Sequence, residues 1–224
     1  NRQAVLAERY RDALIDVRKR VSARVDRNWR TLGSWNEADV DRFLARTLPV
    51  VDAGQRRTVS LTDAYLARAT GRRTLGLVAD GLVGAAVRNG TDPATVYTRP
   101  FVQLWSGLSD GQQFSDALNA AGVRASQSAS TDVSLSMRAS ADAFQEQAGP
   151  AESKIIGWER VLDPDACAYC ATASTQRYKS ANLNPIHANC QCGIAPVFAE
   201  NDRAIKDFNR QVLSNIKDAN AGAD

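Results

Sequence analysis

The chain has 224 residues, of which 44% are hydrophobic and 24% are charged, and its formal net charge is +3. This length and apolar fraction are sufficient for one or two folded domains, and so small a net charge gives no reason by itself to expect nucleic acid or an anionic membrane as a partner. No stretch approaches the ~18 consecutive apolar residues of a membrane span, and residues 1–20 lack the apolar core of a signal peptide. We therefore expect neither a membrane protein nor a secreted one. Because the chain begins at Asn1 rather than at Met, we also expect a processed product or a portion of a longer chain.

A long first helix is predicted for residues 2–31, where apolar residues recur at steps of three or four. This stripe comprises Leu6, Tyr10, Leu14, Val17, Val21, Val25 and Trp29. The other faces carry nine Arg and Lys residues against four acids, Glu8, Asp12, Asp16 and Asp26. Such a face is most simply a solvated surface, and the alternative is a basic arm that contacts DNA phosphates or an acidic protein.

Several shorter helices are predicted next. One begins at a cap formed by Ser34 or Asn36 and stops before Pro49, and another spans residues 52–70 and ends at Gly71. We interpret the apolar, glycine-rich residues 74–90 as a packed helix. A short helix or turn is expected over residues 91–97, followed by a helical stretch over residues 99–105.

A second long helix is predicted for residues 112–146. Its buried stripe consists mostly of small residues, which would let another helix approach closely: Leu118, Gly122, Ala125, Ala129, Val133, Met137, Ala141 and Phe144. Its alternating serines are expected on the outer face: Ser126, Ser128, Ser130, Ser134 and Ser136. At 1.5 Å per residue this helix would be about 50 Å long, so we expect an elongated helical N-terminal region.

The pair Gly149-Pro150 predicts a domain boundary. Beyond it, residues 154–162 and 194–198 are typical of two strands of a hairpin. The tail has apolar residues at helical spacing and then frays: Ile205, Phe208, Val212 and Ile216. The sequence thus predicts a mainly α protein in three parts, namely a helical domain over residues 1–150, a Cys/His β module over 151–200, and a C-terminal helix and tail over 201–224.

All four cysteines and the only histidine lie in one short window, arranged as C-x2-C followed by H-x2-C-x-C. This spacing predicts a structural zinc site whose ligands are four of five candidates: Cys167, Cys170, His187, Cys190 and Cys192. The most economical set omits Cys192, which would share a strand face with Cys190 and could replace it. Disulfides or four buried free thiols are the alternatives. We assign Trp158, Tyr169 and Tyr178 to the small core of this module.

A catalytic role is not expected for this window. Four protein ligands leave no open position on the metal for a substrate. A Ser or Cys protease needs a free imidazole, and His187 is available only if no metal is bound. The acidic residues are spread along helical faces in the pattern of a solvated surface. We therefore predict a structural protein rather than an enzyme.

Three segments follow one another in the C-terminal part of the chain: the run from Gly157 to Asp163 that leads into the first cysteine pair, then Pro185-x-His187 with the second pair, and then Pro196-Val197-Phe198. Their order and spacing resemble the MuF-like minor capsid (head morphogenesis) proteins of tailed bacteriophages. The helical first 150 residues are also similar to the variable N-terminal region of that family. One departure is Gln191, which stands where many relatives have Arg.

The resemblance implies a protein of the virion interior, made in the host cytoplasm and attached to the portal protein or the major capsid protein. It would aid head assembly or the packaging and ejection of DNA. Two alternatives within this setting are a capsid maturation protease and an internal virion protein that binds packaged DNA through the Arg-rich first helix.

Overall fold

The computed structural model describes residues 2–149, 154–181, 183 and 190–221. Helices α1 (Arg2–Arg30), α2 (Glu37–Thr70), α3 (Pro93–Ser109) and α4 (Phe114–Ala148) are followed by strand β1 (Ile155–Val161), a short helix α5 (Ala168–Ala173), strand β2 (Gly193–Phe198) and helix α6 (Ala204–Ala221). The structure is 72% helical, which confirms the predicted mainly α class. Within these ranges no helix is both long and apolar enough to cross a bilayer.

Helix α1 has the predicted length and buries the predicted apolar face, with Tyr10, Leu14, Val25 and Trp29 almost fully covered. Its charged faces differ from the prediction of a solvated surface at two positions. Arg11 and Arg18 are 4% and 2% exposed. Part of the positive charge of this helix is therefore inside the fold.

Helix α2 is continuous through Pro49, so the predicted break before this residue is wrong. An interior proline removes one helical hydrogen bond and crowds the preceding turn, at a cost of about 3 kcal/mol. Here Phe43 and Val51, on either side of Pro49, are buried in the same core, and this packing keeps both halves on one helix. At the N-terminus Asn36 is the cap, because its Oδ1 accepts from the Asp39 amide at 3.2 Å.

Residues 74–90 do not form the predicted helix; they are extended and then form two 3₁₀ turns, Ala79–Leu82 and Gly84–Arg88. Gly76 and Gly84 have φ of +69° and +58°, a left-handed conformation that an α-helix does not contain. The carboxylate of Asp63 holds the extended part by accepting from the amides of Leu75 (2.9 Å) and Gly76 (2.8 Å). The two short segments predicted after it are one helix, α3.

Helix α4 buries most of the predicted stripe, from Ala125 to Phe144. Gly122 allows the expected close approach, since a Cβ at this position would lie 2.7 Å from the ring of Trp29. The serines are not on an outer face as predicted: Ser134 and Ser136 are 2% and 0% exposed. A serine can be buried in a helix when its hydroxyl bonds the carbonyl one turn earlier, as Ser134 does to Ser130 at 3.1 Å.

The chain divides into two compact units that differ from the predicted three parts. Unit 1 comprises Asn1–Ile15, Val59–Leu77 and Met137–Asp224, and unit 2 comprises Asp16–Thr58 and Val78–Ser136. Helices α1, α2 and α4 each contribute to both units. A boundary at Gly149-Pro150, of which Pro150 lies outside the described residues, therefore does not separate a helical domain from a β module.

Unit 1 shows why residues 151–200 are not a separate module. Trp158 and Ile194 from the strands are buried in one core with Tyr10, Tyr65 and Phe144 from the long helices. Tyr10 and Tyr65 stack with ring centroids 4.1 Å apart. Two short strands bury too little apolar surface to be stable alone, so the helices supply the rest of this core.

The two strands pair antiparallel, as predicted, with Trp158 opposite Pro196 and Val161 opposite Gly193. On its other side Trp158 exchanges two backbone hydrogen bonds of 2.8 Å with Tyr178. Trp158 is fully buried and Tyr178 is partly buried, but they pack in the core shared with the long helices and not in a small core of the cysteine window alone. Tyr169 is 75% exposed, so its assignment to a small core is wrong.

Unit 2 has its own aromatic core, in which Trp29, Phe43 and Phe101 meet edge to face with centroids 4.8 to 5.6 Å apart.

Candidate metal centre

The structure brings three of the five candidate ligands together. The sulfur atoms of Cys170, Cys190 and Cys192 all lie within 4.8 Å of one another, and the three residues are at most 3% exposed. Cys170 Sγ and Cys190 Sγ are 3.6 Å apart. Two sulfurs on one tetrahedral zinc are about 3.8 Å apart when each Zn–S bond is about 2.3 Å. The cluster therefore has the spacing that a shared metal ion requires.

The distances between the sulfur atoms do not fit the alternative prediction of disulfide bonds. The four cysteines, all among the described residues, form no disulfide. A disulfide would bring two sulfurs to about 2.05 Å, much closer than the separation of Cys170 and Cys190. The geometry is thus that of separate donor atoms.

Strand pairing and a helix cap place these residues. Since Val161 pairs with Gly193, Cys192 lies where β1 ends and the chain turns through Leu162 and Asp163. Cys167 is the N-cap of α5, and its sulfur accepts from the Cys170 amide at 3.5 Å. The C-x2-C spacing therefore forms the first turn of a helix, which directs Cys170 inward.

The thiols lie in a small apolar cluster under helix α6. Leu162 and Val212 are buried beside them, and Phe208, Leu213 and Ile216 pack against the same cluster. Asn209 of α6 anchors this helix to the end of β1, because it accepts from the Leu162 amide at 3.0 Å and donates to the Arg160 carbonyl at 2.8 Å.

Burial makes the thiols poor acids. It raises the pKa of Cys170 to about 12, with a further contribution from Cys190. The pKa of Cys192 is also raised, first by its hydrogen bond with Cys190 and then by burial, whereas a hydrogen bond from the Asp163 backbone opposes the shift. Without a cation Cys170 and Cys192 keep their protons. A bound metal ion would replace the protons and remove the cost of burying thiolates.

A buried arginine is adjacent to the cluster. Arg11 donates to the Leu162 carbonyl at 2.8 Å, and its guanidinium lies 5.3 Å from the centre of the Phe208 ring. Its side chain also packs against Gly193, the residue after Cys192, where an added Cβ would lie 3.4 Å from Arg11 Cβ. The sequence pattern places Arg11 among the charges of a helix face and gives it no connection with the cysteines.

The positions of the candidate ligands in the structure change which of them are preferred as metal ligands. Cys192, the residue that the sequence made least necessary, is inside the cluster together with Cys190. Both precede β2 rather than lie within it, so the alternation of strand faces does not apply and both sulfurs converge. Cys167 is close to Cys170 and is half-buried. His187 lies outside the described residues.

Unit 2 contains a second buried polar group, centred on Asp132, which the sequence pattern did not predict. Asp132 is 5% exposed, and its two oxygens accept from Arg88 Nε at 2.6 Å and from the Tyr97 hydroxyl at 2.7 Å. Beside it is a cavity of about 170 Å³ whose lining includes Val51 and Val96. Both carboxylate oxygens are already used, so the group anchors the 3₁₀ segment to α3 and α4.

Not all acidic side chains are therefore solvated, contrary to the sequence-based expectation. The exceptions are buried and include Asp39, Asp63, Asp132, Glu159 and Asp163. Periodicity alone gave one signal for Asp132, namely its position beside Val133 of the buried stripe.

Replacing Asp132 with Asn should lower the free energy of unfolding by ~1–3 kcal/mol at neutral pH, because Arg88 or Tyr97 loses a buried acceptor. Burial raises the pKa of Asp132 in the folded state, against opposing contributions from Arg88 and Tyr97. The stability that protonation of this group supplies is thus fully present below the unfolded pKa and is lost as pH rises through the folded value. The advantage of wild type over Asp132→Asn should shrink along this pH range in urea titrations, and an advantage that grows with pH would contradict the assignment.

No protein-family model, no curated protein and no solved structure matches the chain.

Proposed function

We propose that this chain is a minor structural protein of a tailed-phage head, of the MuF-like kind, in which a zinc ion held by the cysteines stabilises unit 1. The observation that carries the proposal is the convergence of three buried sulfurs from two separate parts of the resembling motif. The four cysteines of the motif thus lie at one place in the fold, where α5, α6 and the start of β2 meet.

Zinc suits this donor set better than the other common metals. Soft thiolates favour zinc or copper(I) over the hard cations calcium and magnesium, which take oxygen ligands. The Asp163 backbone hydrogen bond to Cys192 and the Cys170 amide bond to Cys167 are the kind of outer contacts that orient metal-binding sulfurs. When bound, the ion would supply a cross-link between α5 and the start of β2.

The same arrangement favours a structural role over a protease. The sulfurs are buried under α6, whereas a nucleophilic cysteine must be reached by its substrate and needs a lowered pKa. The pKa of Cys170 is raised instead, by burial. We therefore assign the thiols to holding the fold.

Protein partners are favoured over DNA as the occupants of the outer surface. Arg11 and Arg18 of α1 are buried, and Arg20 and Arg30 are paired with acids one turn away at 2.8 Å. Arg20 and Arg30 do face outward, but each is partly neutralised by its acid, so four of the nine cations of α1 are less available to DNA phosphates than a basic arm would require. We propose that the helices attach to the portal protein or the major capsid protein inside the head, after assembly in the host cytoplasm.

Two measurements test the proposal together. Metal analysis of the purified chain should find one zinc per molecule. Co-expression with the portal and major capsid proteins of the same phage should give a complex that survives gel filtration at moderate salt. Affinity for neither protein, combined with DNA binding that falls steeply with salt, would replace the structural role by the DNA-binding alternative.

A further inference from the structure

We infer that the metal is bound by all four cysteines, Cys167, Cys170, Cys190 and Cys192, and that His187 is not a ligand. This inference rests on the proposed structural metal and deepens it by naming the complete donor set. It departs from the set that spacing alone made most economical, in which His187 was a ligand and Cys192 was not.

The first step is that Cys192 occupies a ligand position. Its sulfur lies within the same 4.8 Å cluster as those of Cys170 and Cys190, and the residue is 1% exposed. A tetrahedral structural site takes four protein ligands, so three thiols leave one position to fill.

The second step is that Cys167 is already placed beside that position. Its sulfur accepts from the Cys170 amide at 3.5 Å. The side chain of Cys167 also packs with the apolar cluster around the other three sulfurs. Cys167 thus lies one helical turn before Cys170, which is the spacing at which both cysteines of a C-x2-C pair bind one metal ion.

The third step is charge. Four thiolates around Zn²⁺ leave two net negative charges, whereas three thiolates and a neutral histidine leave one. Such an anion in an apolar site needs a nearby cation or hydrogen-bond donors. Arg11, 4% exposed, lies against Leu162 and Gly193, which are neighbours of the cluster. Its other partners, Asp12 at 2.7 Å and Glu8 at 3.8 Å, are exposed carboxylates whose attraction is weakened by water.

X-ray absorption at the zinc edge of the wild-type chain counts the donors without any mutation. We expect four sulfur neighbours and no nitrogen. Three sulfurs with one nitrogen would overturn the inference while leaving the proposed structural metal in place. Absence of bound metal after reconstitution under reducing conditions would overturn both.

Cobalt(II) substitution provides the matched comparison of variants. His187→Ala should leave the sulfur-to-cobalt charge-transfer intensity and the d–d bands unchanged. Cys167→Ser should lower that intensity and weaken zinc binding by more than the ~10–100-fold cost of losing a hydrogen-bond partner of a ligand. The opposite pattern, with a spectrum sensitive to His187 and insensitive to Cys167, would make the histidine the fourth ligand.

Discussion

Replacing Cys170 and Cys190 together with Ser is expected to abolish metal binding and to unfold unit 1 well beyond the cysteine window. A structural zinc site contributes an apparent ~10–16 kcal/mol to folding in small zinc domains, which is comparable to the whole stability of an ordinary domain, ~5–15 kcal/mol. Loss of the cross-link also exposes the apolar face of α6, whose Val212 packs beside the sulfurs.

Hydrogen exchange followed by mass spectrometry measures how far the unfolding extends. We expect lost protection in α5, β2 and α6, and also in residues 2–15 and 59–77, because Tyr10 and Tyr65 share a core with the strands. Ala168→Ser, which places the same new residue at an exposed position of α5, is the control and should change neither metal content nor protection. Changes confined to residues 155–198 would instead support the independent module predicted from sequence.

Trp158→Ala is expected to lower the free energy of unfolding by ~3–5 kcal/mol, the usual cost of truncating a fully buried large aromatic residue. Trp158 is 0% exposed, and its indole Nε1 donates to Gln145 Oε1 of α4 at 2.6 Å. The substitution therefore leaves a cavity in the unit 1 core and an unpaired amide oxygen on the helix. Urea unfolding monitored by circular dichroism measures the change.

Trp105→Ala is the matched control, because Trp105 is 38% exposed on α3 and donates only to the Trp35 carbonyl. Its cost should be clearly smaller than that of Trp158→Ala. Equal costs for the two substitutions would mean that the strands are not part of the helical core.

The candidate metal centre is connected with the helices through β1. Trp158 pairs with β2 on one side and with Tyr178 on the other, and its side chain reaches α4. Arg11 of α1 reaches the other end of the same strand region at Leu162. A change at the sulfurs is therefore transmitted to α1 and α4 by direct contacts within unit 1.

The elements that sequence alone predicted correctly are those whose signal is local. The stripe of α1, the two strands and the apolar face of α6 follow from the periodicity of residues that are near each other in the chain. The clustering of cysteines at metal-ligand spacing is equally local, and it predicts the candidate site from the sequence alone.

Several features depended on residues far apart in sequence. Helix α2 continues through Pro49 because Phe43 and Val51 share a core with distant helices, and the glycine-rich segment after α2 is extended because Asp63 binds its amides. The pairing of Asp132 with Arg88 and Tyr97 joins three elements. Propensity is a weak preference of about 1 kcal/mol per residue, so packing of this kind overrides it.

The amino-acid sequence is enough to predict the mainly α class, the positions of the two strands and a thiol-rich site near the C-terminus. The three-dimensional arrangement is needed to show that Cys192 joins Cys170 and Cys190, that Arg11 lies beside them, and that the strands share a core with the ends of the long helices. The physical reason is that spacing limits which side chains can reach one metal ion. Strand register and helix packing then determine which of them meet and what surrounds them.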